Sequence, residues 1–92
     1  MLEELDKLYG KIPPESLEEA SLSHRISERI SVLMQEHGLT RSQFAAKLGR
    51  RPSEVTKWLS GEHNFTLRTI AMLTVFFGQS IITIPTSENR DR

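Results

Sequence analysis

Cysteine is absent from this 92-residue chain, which excludes disulfides, thiolate nucleophiles and thiolate-bound zinc. A chain this short must then be held by packing, by helix capping or by a second subunit. No apolar run approaches the ~18 residues that a membrane span needs, and the opening Met1-Leu2-Glu3-Glu4 lacks the basic start of a secretory signal. The expectation is a cytoplasmic protein with no membrane partner. Glycine and proline are scarce, at five and four residues, which is ordinary globular composition and speaks against disorder. An excess of charge of one sign is missing too, because twelve basic residues balance twelve acidic ones. Global attraction to nucleic acid therefore has no basis in net charge. The length corresponds to a single domain and excludes most stand-alone barrel and doubly wound enzymes.

The charge is nevertheless unevenly placed. Through Leu22, six acids (Glu3, Glu4, Asp6, Glu15, Glu18, Glu19) face only Lys7 and Lys11, whereas from Ser23 onward ten basic residues face six acidic ones. An acidic arm precedes a basic body. Within residues 40–70 the imbalance sharpens: Arg41, Lys47, Arg50, Arg51, Lys57 and Arg68 oppose only Glu54 and Glu62.

Leu2, Leu5, Leu8 and Tyr9 recur at helical spacing and predict a short leading helix, ended by the Pro13-Pro14 pair. The polar stretch 15–23 offers only Leu17 and Ala20 as an apolar face and is compatible with either a helix or a linker. Ile26, Ile30, Leu33 and Met34 form one helical stripe, which Gly38 can close in a left-handed cap. Thr40 and Gln43 make a capping box ahead of Phe44, Ala45 and Leu48, with Gly49 after them. Pro52 suits the first position of a third helix carrying Val55, Trp58 and Leu59, closed by Gly61. Thr66 can cap a fourth, whose Leu67, Ile70, Ala71, Leu73, Thr74 and Phe77 predict a broad buried face ending at Gly78. The β-branched run at residues 80–84, between Gly78 and Pro85, predicts a strand, and an isolated strand asks for a symmetry mate. A frayed tail is expected after it.

The informative feature is the pair of short helices within residues 40–60, joined at Gly49-Arg50-Arg51, with small Ala45 where the two would approach. Two helices meeting steeply across a turn of three to four residues can place the second in a major groove about 12 Å wide. The strings Gly38-Leu39-Thr40-Arg41-Ser42-Gln43-Phe44-Ala45-Ala46-Lys47-Leu48-Gly49 and Val55-Thr56-Lys57-Trp58-Leu59-Ser60-Gly61 resemble the Cro/cI (XRE) type of helix-turn-helix, over residues 26–78. Within that family, residues 51–67 are most similar to HigA-like antitoxins of bacterial toxin–antitoxin operons. The resemblance implies an all-α, lambda-repressor-like bundle, here with an N-terminal helical extension (residues 1–22), a DNA-binding domain with a terminal strand (23–85) and a disordered tail (86–92).

The resemblance also implies roles. Arg41 and Ser42 match positions that contact backbone phosphate, where helix N-terminal amides and an arginine fork both favour an anion. Pro52, Ser53, Glu54 and Lys57 occupy the front of the recognition helix. There lysine can donate to guanine, Glu54 can accept from cytosine N4, and Thr56 is a weaker candidate for a thymine methyl or a phosphate. Pro52 departs from the polar residue common at its position, so its part is apolar contact or capping. Ser60, His63 and Asn64 match further backbone contacts. Arg50 and Arg51 lie beside the recognition helix and are expected on phosphate. Glu54 has other readings: repelling DNA, or pairing with Lys57 or Arg50.

Trp58 sits at core spacing with Val55 and Leu59, so it is expected to be structural. The three histidines are far apart and lack ligand spacing; no metal, cofactor or catalytic group is expected. The function expected is a sequence-specific repressor, dimeric on a palindromic operator and acting as an antitoxin with a cognate toxin as partner. The rival is a protein-interaction module with weak or no DNA binding, supported by zero net charge, the acidic arm and Glu54.

Overall fold

The computed structural model describes residues 10–85. The leading helix expected over residues 2–9 and the tail at 86–92 lie outside the described residues. Four helices follow one another: α1 (Pro14–Glu36), α2 (Arg41–Leu48), α3 (Pro52–Trp58) and α4 (Leu67–Phe77).

Helix α1 is a single 23-residue element, so the stretch left open between helix and linker is helix. Pro14 takes the first position, where a missing N–H has no helical partner to lose, and Glu15 sits in the first turn against the positive end of the helix dipole. Its two halves differ. Residues 14–22 are all exposed, whereas Ser23, Ile26, Ser27, Ile30, Leu33 and Met34 are buried along one stripe. Arg25 pairs with Glu18 at 3.2 Å and ties the acidic half to the packed half. At the far end the Leu39 N–H donates to the Met34 carbonyl and the Gly38 N–H to Gln35, which satisfies carbonyls that a helix end otherwise strands.

The capping box of α2 is formed: the Gln43 N–H donates to Thr40 Oγ1 at 3.2 Å, and the Thr40 N–H to Gln43 Oε1 at 3.0 Å. Thr66 caps α4 by accepting from the Thr69 N–H at 3.1 Å. The core collects Ile26, Ile30, Leu33 and Met34 of α1, Phe44 and Ala45 of α2, Val55 and Trp58 of α3, Leu73 and Phe77 of α4, and Ile81. Phe44 is at its centre, fully buried, with ring centroids 6.0 Å from Trp58, 5.5 Å from Phe76 and 5.3 Å from Phe77.

Two expectations are corrected. The strand expected at residues 80–84 is not formed, and no strand occurs among the described residues. Alternating β-branched residues favour an extended chain, but a strand needs a neighbour to accept its ladder. Here Ile81 is instead drawn into the helical core, and the Arg29 Nε donates to the Ser80 carbonyl at 3.0 Å. The broad buried face of α4 is also narrower than its composition suggests. Leu73 and Phe77 are buried, yet Leu67 is 80% exposed and Val75 82%, with Ala71 exposed between them. An 11-residue helix that is apolar nearly all round can turn only one side to a single core.

Truncating the central ring tests this packing. Phe44→Ala should cost about 3–5 kcal/mol in urea denaturation; a loss below about 1 kcal/mol would show that the core does not close on that ring.

Candidate nucleic-acid interface

Helices α2 and α3 pack directly on each other, and the turn between them is built on Gly49. Its φ of 68° is left-handed, a conformation that side chains with a Cβ resist. That conformation lets the Gly49 N–H donate to Ala46 and the Arg50 N–H to Ala45, ending α2 within one residue. Arg51 is then extended and Pro52 starts α3.

With seven residues, α3 is nearly two turns long, and its faces follow from which side chains the core takes. Val55 and Trp58 are buried three residues apart, so Ser53, Thr56 and Lys57 fall on the opposite side and are exposed, as is Pro52. Glu54 lies on the flank, half-buried. A contact outside α3 fixes its trailing end: the buried Ser27 hydroxyl of α1 donates to the Trp58 carbonyl at 2.6 Å.

The expected contact residues fall into separate groups. Arg41 and Ser42 are exposed at the start of α2. Arg41 and Ser60 line one cleft of about 250 Å³, together with His24, Glu28 and Gly61. Ser60 itself caps the end of α3, donating to the Lys57 carbonyl at 2.7 Å and accepting from the Glu62 N–H at 3.1 Å. His63 is half-buried with its ring edge-on to Phe65, centroids 4.8 Å apart. Asn64 is exposed but belongs to a different groove, lined also by Leu22, Ile26 and Ile82, so it is not brought to the cleft that Arg41 and Ser60 share. The Thr56 hydroxyl donates to the Pro52 carbonyl at 3.2 Å.

Arg50 and Arg51 are adjacent in sequence but differently engaged. Arg50 Nη1 lies 3.4 Å from Glu54 Oε2, and its Nη2 3.6 Å from Met72 Sδ on α4. Of the alternatives for Glu54, pairing with Arg50 is the one formed. Among the described residues, no carboxylate lies within salt-bridge range of Arg41, Arg51 or Lys57. Arg51 and Lys57 are exposed with Ser53 and Thr56 at the start and along the outward side of α3, and Arg41 is exposed at the start of α2; cations beside hydrogen-bonding side chains are the chemistry that a polyanion with readable edges calls for.

Several contributors had no sequence signal. Ser27 reads as an ordinary helix serine, and its bond spans 31 positions. Met72 reads as core. The His24 to Glu28 pair, 2.9 Å apart beside Arg41, was legible as an i, i+4 pair. Among the described residues, no three of His, Asp and Glu are grouped closely enough to hold a metal ion, and no helix is long and apolar enough to cross a membrane.

The family model described as helix-turn-helix matches residues 30–84, more than half of the chain. No curated protein and no solved structure shows a significant match to it.

Proposed function

Because the chain belongs to the helix-turn-helix family of the Cro/cI (XRE) type, a family of DNA-binding regulators and not of enzymes, we propose that it is a sequence-specific transcription regulator that binds a palindromic operator as a homodimer. The observation that carries this reading is α3 itself: Val55 and Trp58 anchor it inward while Pro52, Ser53, Thr56 and Lys57 stand outward. In the proposed complex Ser53, Glu54 and Lys57 read base edges, with Thr56 and Pro52 as apolar or weaker contacts. Arg41, Ser42 and Arg51 bind phosphate, joined by Ser60 on the cleft it shares with Arg41; His63 and Asn64, which the resemblance also assigns to backbone contacts, do not line that cleft.

Homodimerisation is supported by the exposed stripe of Leu67, Ala71 and Val75 on α4, which borders an open groove of about 660 Å³. Two copies meeting there would bury apolar surface that one copy leaves in water, and a two-fold axis would set paired α3 helices one DNA turn, about 34 Å, apart. The finer assignment is an antitoxin that represses its own operon by occupying the promoter. Its support is the similarity of residues 51–67 to HigA-like antitoxins, which brings with it a cognate toxin as partner and the cytoplasm, where the operator lies.

A second reading, a module that holds a toxin or another protein with little DNA binding, is favoured by one observation. The first turns of α1 contribute nothing to the buried core and expose Glu15, Glu18 and Glu19 together with Leu17 and Leu22, which are 45% and 44% exposed. Salt separates the two readings. A DNA complex weakens steeply as salt rises, by about 0.9 log units per log unit of salt for each phosphate neutralised.

Arg51→Ala should therefore make that slope shallower by about one while leaving the preferred sequence alone, and Lys57→Ala should change which duplexes a random pool yields. A flat salt dependence in the unmodified protein would favour the protein-interaction reading. For the dimer, Val75→Glu should shift sedimentation to the monomer at micromolar concentration with helicity unchanged; a variant that stays dimeric would remove α4 from the interface.

A further inference from the structure

A carboxylate on the flank of a helix that approaches DNA is anomalous. Glu54 is one of two acids among residues 40–70, and a bare carboxylate close to phosphodiesters is repelled. The fold supplies a remedy. The Arg50 guanidinium is held at two places, by Glu54 Oε2 of α3 at 3.4 Å and by Met72 Sδ of α4 at 3.6 Å. It thus spans the gap between the reading helix and the helix behind it. Glu54 Oε1 accepts no hydrogen bond from the described residues and is left as an acceptor.

Resting on the reading that α3 meets DNA bases, we propose that Arg50 is a positioning residue and not a phosphate ligand: braced on Met72, it neutralises Glu54 and fixes its carboxylate so that the free oxygen can accept from a cytosine N4 amine. Arg50 and Arg51 then divide the work that their adjacency appeared to share. Arg51 supplies charge to the backbone, and Arg50 supplies specificity through Glu54. The pair lets an acid face a polyanion without a net charge at that point, and it penalises a base that offers an acceptor there, because two acceptors then meet without a proton between them.

A double-mutant cycle on the full chain tests this, using duplexes selected from a randomised pool and a mixed-sequence duplex as probes. Glu54→Gln should change the preferred base at one position of the selected site. Arg50→Ala should blur the preference at that same position and weaken binding about three- to tenfold, as a nearby unscreened carboxylate would. In the Glu54→Gln background the same Arg50→Ala change should cost less than about twofold, because the residue it acts through is gone. Arg50→Lys, which keeps the charge and loses the fork, should restore affinity for mixed-sequence DNA more fully than base preference. Equal losses from Arg50→Ala in both backgrounds, with preference untouched, would make Arg50 a phosphate ligand and overturn the proposal alone. Failure of the unmodified protein to bind any duplex at low salt would overturn it together with the reading of α3. Both side chains are partly exposed, at 41% and 38%, and neither belongs to the core, so the variants should keep the fold, which an unchanged circular-dichroism spectrum checks.

Discussion

The relation between α2 and α3 rests on one aromatic side chain. Phe44 projects from α2 into the space where α1, α3 and α4 converge, and its ring meets Trp58 of α3 and Phe76 and Phe77 of α4. Three elements are thereby referenced to a single point. Aromatic rings at these separations interact through their edges and faces as well as through burial, so the packing constrains orientation as well as depth. The Gly49 turn allows the chain to reverse within three residues, but a turn only permits an angle. Phe44, Ala45 and Trp58 select it, and the Ser27 hydroxyl on the Trp58 carbonyl fixes the trailing end of α3.

What faces outward follows from that inward grip. With Val55 and Trp58 committed to the core, the geometry of a seven-residue helix leaves Ser53, Thr56 and Lys57 on the open side and Glu54 at the margin. The zero net charge of the chain is then no obstacle to a polyanionic partner. Charge acts locally: the acids of α1 lie largely in its exposed first half, and Arg25 engages one of them, Glu18. Arg41, Arg51 and Lys57 keep their charges uncommitted among the described residues.

Much of this was readable from residue order because the signals are local. The Thr40 and Gln43 capping box, Pro52 at a helix start, Gly49 after Leu48 and the Ile26 to Met34 stripe each act within one or two helical turns, the range over which sequence and structure correspond directly. The helical module and the inward place of Trp58 followed from them. The misread regions depend on distant partners. Residues 80–84 have strand composition, yet no strand among the described residues is there to pair with them and Ile81 finds the helical core. In α4, composition could not say which of two apolar sides meets Leu33 and Phe44. The pairing of Arg50 with Glu54 lies at helical spacing and could be listed among alternatives, but its brace on Met72, 22 residues away, had no local trace.

The central claim is that the outward side of α3, flanked by the start of α2, is where this protein meets DNA. Amide chemical shifts of the full chain, followed as a mixed-sequence duplex is added at low salt, test it most directly. The account predicts that the largest changes fall on Arg41, Ser42 and residues 51–57, extending to Ser60, while Glu15, Glu18 and the exposed stripe of α4 stay still. Changes concentrated on the acidic half of α1 or on Leu67, Ala71 and Val75, with Ser53 and Lys57 unmoved, would contradict it.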